Sequence, residues 1–478
     1  LSPTSVNFPS SADFGAVLPA AIVALSALVA LFFDLLAPAA TRRTLAVLVA
    51  AIGLIAAGIV LAAGYGHDVT AFEGAYVAGG FSIVFSEIIV IATLATLALG
   101  MGIGRDDQVA GSTALVLWSA AGAMLMTGAN NLMTIFLGLE LLSLGLYCLC
   151  AMSPRATARE AALKYLILSS MASGVLLYGM ALLFGASGSV ALGAIAGAHP
   201  TFMLMLGAGF FLIGLAFKLG LVPFHVWMPD VFEGAPLAVT AFMSVVTKAG
   251  ALAVLCRFAY GALPPDMANA ILVPVWVLAA LSMLIGNLGA LAQTDMKRLL
   301  AYSGIAQVGY IVVAFAGQTA LGVRYALFYL AAYTFMNLGA FAVVALLARD
   351  ADAVVGINRF AGLAYRRPWL AGAMTLFVLG LAGLPPTAGF TGKLLILASS
   401  VSAGEGWLAG ILILGTAISI YVYFKIVRLM FVRVDAAHVP DERPSGRLPW
   451  VTVAICAVAI FALGIVPLAP SNVLPVIR

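Results

Sequence analysis

The 478-residue chain is 64% hydrophobic and 9% charged, against roughly 25% charged residues in an ordinary soluble domain, which excludes a water-soluble globular protein. Its 23 Lys and Arg against 19 Asp and Glu leave a net charge of +4, too small and too dispersed for a nucleic-acid footprint. Cys148, Cys150, Cys256 and Cys456 stand in apolar runs without a CxxC or a Cys/His cluster. That spacing argues against a disulfide framework, structural zinc or an iron–sulfur cluster, and the cysteines read as small core hydrophobes.

A helix crosses a hydrocarbon core of about 30 Å with about 20 mainly apolar residues. Fourteen such stretches are predicted in chain order, near 15–36, 44–63, 80–103, 111–128, 130–152, 161–185, 201–228, 237–260, 271–292, 299–317, 325–348, 369–400, 407–432 and 449–467. The first basic residue is Arg42, so the first stretch lacks a basic n-region and reads as a retained helix, not a cleaved signal peptide. The loops are too short for a soluble domain, and the expectation is one all-α transmembrane domain over 1–478.

Short cytoplasmic loops are enriched in Lys and Arg. With the amino terminus outside, the inward loops hold Arg42, Arg43, Arg105, Arg155, Arg159, Lys297, Arg298, Arg349, Arg359, Arg366, Arg367, Arg433, Arg443 and Arg447, and the outward segments only Arg324 and Arg478. Both termini are therefore expected on the non-cytoplasmic side.

The seventh and twelfth stretches are too long for simple spans. The twelfth contains Gly383-Leu384-Pro385-Pro386 and would be about 48 Å as a straight helix at 1.5 Å per residue; the seventh contains Pro223. Proline removes a donor and clashes with the preceding turn, so both read as discontinuous helices. Five spans apart, they enter the membrane from opposite sides, the sequence pointer to an inverted repeat.

An ionisable residue at mid-bilayer costs at least about 2.5–3.5 kcal/mol on insertion scales and is by default a functional-site hypothesis. Glu140 and Lys248 are central in the fifth and eighth stretches, while Lys218 and Lys393 flank the two breaks. There, freed backbone groups and water lower the cost of charge. These four are the candidate proton or ion relay, because burial lowers the proton affinity of a lysine and a nearby carboxylate restores it. The alternative is that they only hold helices together as ion pairs. His225, two residues after Pro223, is either an accessory proton path or a helix-orienting histidine.

Lys164, Lys425, Arg428 and Arg257 lie near span ends and read as snorkelling side chains; Glu87 reads as a shallow, solvated carboxylate or a cavity lining. Thr391-Gly392-Lys393 fails as a phosphate loop, which needs Gly at 387 and Ser or Thr at 394, where Thr387 and Leu394 stand. His67, His199 and His438 fall in loops, which argues against paired axial haem ligands.

The runs EAALKYLILSSMASGVLLYG, FKLGLVPFHVWMPDVFEGAP, TDMKRLLAYSGIAQVGY and GLPPTAGFTGKLLIL closely resemble the antiporter-like membrane subunits of the proton-pumping NADH:quinone oxidoreductase, respiratory complex I. The resemblance covers essentially the whole chain. Within that family it is to the subunit N branch, the counterpart of mitochondrial subunit 2. Ending just past the fourteenth stretch, the chain is expected to lack the lateral helix of subunit L, and it carries Lys393 where subunit M has glutamate. Subunits L and M also have a histidine-bearing stretch where EGAPLAVTAFMSVVTKAG has none.

The resemblance implies a proton channel of two inverted five-helix repeats, about 111–260 and about 271–432, with discontinuous helices 7 and 12. It implies that Glu140, Lys218, Lys248 and Lys393 are the charged mid-membrane axis, although the tenth stretch has no carboxylate to mirror Glu140. Quinone reduction elsewhere would move Glu140 relative to Lys218, change its proton affinity, and send a proton along Lys218, Lys248 and Lys393. Driving one charge across 100 mV costs about 2.3 kcal/mol, within reach of ion-pair rearrangement. The chain would be a translocase subunit of a bacterial inner membrane with periplasmic termini, beside other antiporter-like and small hydrophobic subunits. It would hold no cofactor or metal; NADH, flavin, iron–sulfur clusters and quinone would lie on other chains. Competing readings are a subunit of a multi-subunit sodium/proton antiporter or membrane-bound hydrogenase, and a structural membrane spacer.

Overall fold

The computed structural model describes residues 9–100, 108–315, 319–348, 355–433 and 447–465, without the side chains of 39 and 40. The chain forms α1 (Ser11–Leu36), α2 (Ala39–Ala63), β1 (Val69–Ala71), β2 (Tyr76–Ala78), α3 (Gly80–Leu99), α4 (Val109–Gly128), α5 (Leu132–Ala151) and α6 (Ala156–Ser187). It continues with α7 (Leu192–Ala196), α8 (Phe202–Leu219), α9 (Trp227–Gly234), α10 (Leu237–Gly261), α11 (Pro265–Leu291), α12 (Met296–Val313) and α13 (Ala320–Leu347). Last come α14 (Leu363–Arg366), α15 (Pro368–Ala382), α16 (Ala388–Ser402), α17 (Gly406–Met430) and α18 (Arg447–Ile465).

Among the described residues, 12 helices are long and apolar enough to cross a membrane. The stretches read from the sequence correspond to these together with α12, whose first turn carries Lys297 and Arg298, and the α15–α16 pair, each helix of 15 residues. One departure from an all-helical chain is the antiparallel β1–β2 hairpin, with Val69 opposite Ala78. Its turn passes through Phe72, Glu73 and Gly74, all at positive φ.

Side-chain caps mark several helix starts by satisfying an orphan backbone N–H. Asn131 accepts from Thr134 N at 2.7 Å, Thr201 from Leu204 N at 3.1 Å, Asp295 from Arg298 N at 2.9 Å and Thr319 from Gly322 N at 3.1 Å. Lipid offers helices no hydrophobic drive to associate, so close packing at small residues takes its place. On α4, a side chain at Gly122 would sit 2.6 Å from Leu142 N and 2.8 Å from Gly138 O of α5.

The two breaks are built alike. α8 ends at Gly220 (φ 75°) and α15 at Gly383 (φ 83°), the left-handed conformation glycine adopts without strain. The following N–H reaches back over the last turn in each, Leu221 to Ala216 O at 2.9 Å and Leu384 to Leu379 O at 3.1 Å. Pro223, Pro385 and Pro386 then prevent the helix from resuming, and Val222–Pro223 and Pro385–Pro386 are cis. Between them α10 is the centre of the bundle, buried at every position from Leu237 to Ala259.

Candidate functional site

Lys218 occupies the last turn of α8 and is 2% exposed. Its ammonium donates to Ser169 Oγ at 3.3 Å and Tyr165 Oη at 3.5 Å, and lies 5.4 Å from the Tyr165 ring centre. The broken end of α8 is closed by Trp227, whose Nε1 donates to Phe217 O at 3.0 Å while its ring stacks on Tyr165 with centroids 4.8 Å apart. Glu140, half-buried on α5, accepts from Ser173 Oγ of α6 at 2.6 Å. Glu140 and Lys218 thus both end on α6 and do not form the direct ion pair that a coupled pair suggests. Among the described residues, no carboxylate lies within the 4.0 Å ion-pair distance of Lys218, Lys248 or Lys393.

Lys248 is 1% exposed at the middle of α10. It donates to Tyr333 Oη of α13 at 2.9 Å and lies 5.0 Å from that ring centre; Tyr333 Oη in turn donates to Ser244 O at 3.1 Å. Room for the ammonium comes from Gly304 of α12, where an added Cβ would overlap Lys248 Nζ and stand 3.1 Å from Tyr333 Oη.

Lys393, 5% exposed on α16, folds back onto the end of α15 and donates to Leu381 O and Ala382 O, each at 3.0 Å. A helix C-terminus carries orphan carbonyls and a partial negative charge of roughly half a unit, so the lysine complements the break without a carboxylate. Its ammonium also lies 4.4 Å from the Tyr310 ring centre. Gln307 of α12 shares the same carbonyl, Nε2 to Leu381 O at 3.0 Å, and accepts from Tyr329 Oη. In the tenth stretch, where no carboxylate mirrors Glu140, the structure therefore has a neutral amide against the lysine's own acceptor.

His225 sits in the first break, half-buried, with Nδ1 buried and unpartnered and its ring edge-on to Tyr302 at 6.4 Å. No hydrogen bond joins it to Lys218. Among the described residues, no group of three or more His, Cys, Asp or Glu is arranged to hold a metal ion.

Several sequence expectations are corrected. Lys297, counted as a loop charge, is fully buried in the first turn of α12 and donates to Ala235 O at the end of α9 at 3.0 Å. Arg257 does not snorkel: 8% exposed, it donates from Nε to Thr127 O at 2.9 Å and from Nη2 to Val77 O at 3.2 Å, over the Phe81 ring. Cys148 is exposed on the outer face of α5 and is not a core residue. Of the two readings of Glu87, the structure has the cavity lining: the residue faces an open apolar groove of α2, α3 and α13 with Tyr65, Thr334 and Phe335. Arg105, Arg349, Arg443, His438 and Arg478 lie outside the described residues.

Outside the helices crossing the membrane, Asp230 of α9 joins α6 to α12. It accepts from Lys164 at 3.1 Å and Arg298 at 2.6 Å, and Arg298 also holds Glu233 at 2.9 Å. Partial burial pushes the Asp230 carboxyl up, but the two cations outweigh it and hold it below the usual carboxylate range.

The hydroxyls that receive the lysines, on Tyr165, Ser169 and Tyr333, were not singled out from sequence, nor were Ser173, which donates to Glu140, and Gln307, which shares an acceptor with Lys393. The available signal was hydroxyls at 165, 169 and 173, one turn apart on a single face of an apolar helix.

The family model described as NADH:quinone oxidoreductase/Mrp antiporter, TM, matches residues 129–419. NADH-quinone oxidoreductase subunit N 1 of Symbiobacterium thermophilum is 42% identical over 423 residues, 85% of this chain and 86% of the relative. The chain belongs to the NADH-quinone oxidoreductase subunit N family. Subunit N of Paramagnetospirillum magneticum is 36% identical over 95% of both chains. A chain of respiratory complex I from Thermus thermophilus with bound aureothin superposes with a TM-score of 0.83 and 34% identity, covering 95% of this chain and 99% of that one. The Mrp complex from Dietzia sp. DQ12-45-1b contains a chain with TM-score 0.84 but 22% identity, over 94% of each. At that identity the likeness is one of fold. As a member of the subunit N family the chain is an antiporter-like membrane subunit of a proton-pumping NADH-quinone oxidoreductase.

Proposed function

We propose that Glu140, Lys218, Lys248 and Lys393 form the proton relay of this subunit, linking quinone reduction elsewhere in the complex to proton movement across the membrane. The observation that carries this reading is that three buried lysines at mid-bundle are met by hydroxyls, carbonyls and rings, with no carboxylate in ion-pair range among the described residues. A lysine locked to a carboxylate is a static cation; one held by neutral acceptors can give up its proton and keep neighbours suited to either state. The alike breaks at Gly220 and Gly383 favour two inverted halves, about 111–260 and about 271–432. His225 is an accessory to the inward side of the first half.

The assembly is a bacterial inner-membrane complex with both termini of this chain periplasmic. Its other membrane-arm subunits are the partners, and flavin, iron–sulfur clusters, NADH and quinone are carried by other chains. Identities of 36–42% to subunit N relatives, against 22% to the Mrp chain, favour this reading over a sodium/proton antiporter.

Arginine keeps the charge of lysine but, with a pKa above 12, cannot release a proton. Lys248→Arg and Lys393→Arg are therefore expected to impair proton pumping by reconstituted complex in amounts that still assemble. Parallel channels in related subunits make the loss partial. If both variants assembled and pumped at the wild-type stoichiometry, the lysines would be anchors and the relay reading would fall.

A further inference from the structure

We propose that Ser173 and Ser169 of α6 are positioning residues through which Glu140 acts on Lys218, an inference that rests on the relay proposed above. Glu140 and Lys218 stand on α5 and α8, and each is met by a hydroxyl of α6: Ser173 Oγ gives its proton to Glu140 Oε1 at 2.6 Å, and Ser169 Oγ accepts from Lys218 Nζ at 3.3 Å. The two serines are four residues apart, so their Cβ atoms lie about 5–6 Å apart on one face of the helix. That span equals two hydrogen-bond lengths, the reach of one bridging water.

A serine in an apolar helix ordinarily spends its proton on the carbonyl four residues back. Ser143, Ser187, Ser282 and Ser400 all do so here. Ser169 and Ser173 instead face the two charged groups, and Tyr165, one turn further along the same face, is the second acceptor of Lys218. A hydroxyl has one proton. While Glu140 is ionised, Ser173 must point its proton at the carboxylate and present only lone pairs along the ladder. When Glu140 takes up a proton or moves away, Ser173 is released to turn, and the polarity reaching Ser169 beside the ammonium reverses. The ladder converts the state of a carboxylate on one helix into a changed hydrogen-bond environment for a lysine on another, without an ion pair between them.

The test uses the assembled oxidoreductase in liposomes, measuring protons pumped per quinone reduced together with assembled amount. Ser169→Ala with Ser173→Ala, and Ser173→Ala alone because that side chain is half-buried and the more tolerant site, are compared with Ser→Thr at both positions and with Glu140→Gln. The alanine variants are expected to show at least about half of the pumping loss of Glu140→Gln, threonine to restore it, and alanine to add little in the Glu140→Gln background, as residues acting as a unit do. If the alanine variants pumped as wild type while Glu140→Gln was impaired, the ladder would be wrong and the relay would stand. Full additivity with Glu140→Gln, or failure of threonine to restore pumping, would also overturn the ladder. Normal pumping by both Glu140→Gln and Lys218→Met would remove the relay itself.

Discussion

Replacing Lys248 or Lys393 by methionine removes the same ammonium from similarly buried sites, yet the two substitutions leave different groups behind. At Lys248 the only hydrogen-bond acceptor among the described residues is Tyr333 Oη, which keeps its own donation to Ser244 O at 3.1 Å. At Lys393 the acceptors are two carbonyls at the end of α15. Leu381 O retains Gln307 Nε2 at 3.0 Å, but Ala382 O has no other hydrogen bond among the described residues. A buried carbonyl left unpaired costs about 1–3 kcal/mol, and the release of a desolvated charge is common to both variants. Lys393→Met is therefore expected to be less stable than Lys248→Met by about 2 kcal/mol, roughly thirtyfold in the folded-to-unfolded ratio. A difference of that size changes steady-state abundance several-fold. The assay is assembled complex by native electrophoresis and the rate of thermal inactivation in detergent, with pumping measured per assembled complex. Both variants should pump less, but only Lys393→Met should also assemble poorly. Equal assembly and equal thermal inactivation would refute the idea that Lys393 closes the broken helix.

Gly304→Ala places a methyl against the Lys248 ammonium on a helix that alanine otherwise favours by about 1 kcal/mol, so pumping should fall while assembly holds; unchanged pumping would mean that the ammonium relocates freely. Arg257→Lys cannot reproduce the separated bonds to Thr127 O and Val77 O, and it should lower thermal stability nearly as much as Arg257→Met; full stability with lysine would show that charge alone suffices. Because the folded Asp230 carboxyl lies below its ordinary value of 3.8, its contribution is complete above that value and is lost only as the pH falls through the folded value. Asp230→Asn should therefore cost at most about 1 kcal/mol, the usual limit for an exposed pair, by the same amount across neutral pH in thermal unfolding. A cost that varied between pH 6 and pH 8 would point to another group.

How much of this protein was legible in advance follows from the kind of physics each feature obeys. Crossing a bilayer is settled locally, because the solvent is a slab and about 20 consecutive residues either suit it or do not. Composition and hydropathy alone therefore gave the apolar helices and the breaks at Pro223 and at Pro385-Pro386. They also gave the positions of Glu140 and Lys248 near the middle of their helices, because position is counted along one helix. Which way a side chain faces is a different quantity. Lipid is as apolar as the bundle interior, so a membrane helix need not carry the amphipathic stripe that tells inside from outside in a soluble protein. Arg257 was thus read as snorkelling from its distance to the helix end, and Lys297 as a loop charge from its distance to the last apolar residue. Packing turned both inward, onto Thr127 O and Ala235 O. The partners of the lysines were equally out of reach, since Tyr333 is 85 residues from Lys248 and Ser169 is 49 from Lys218. The sequence by itself placed Glu140 and Lys248 near the middle of apolar helices and Lys218 and Lys393 beside the breaks. Only the tertiary structure, by fixing the rotation and neighbours of each helix, decided that hydroxyls and carbonyls receive them in place of opposing charges.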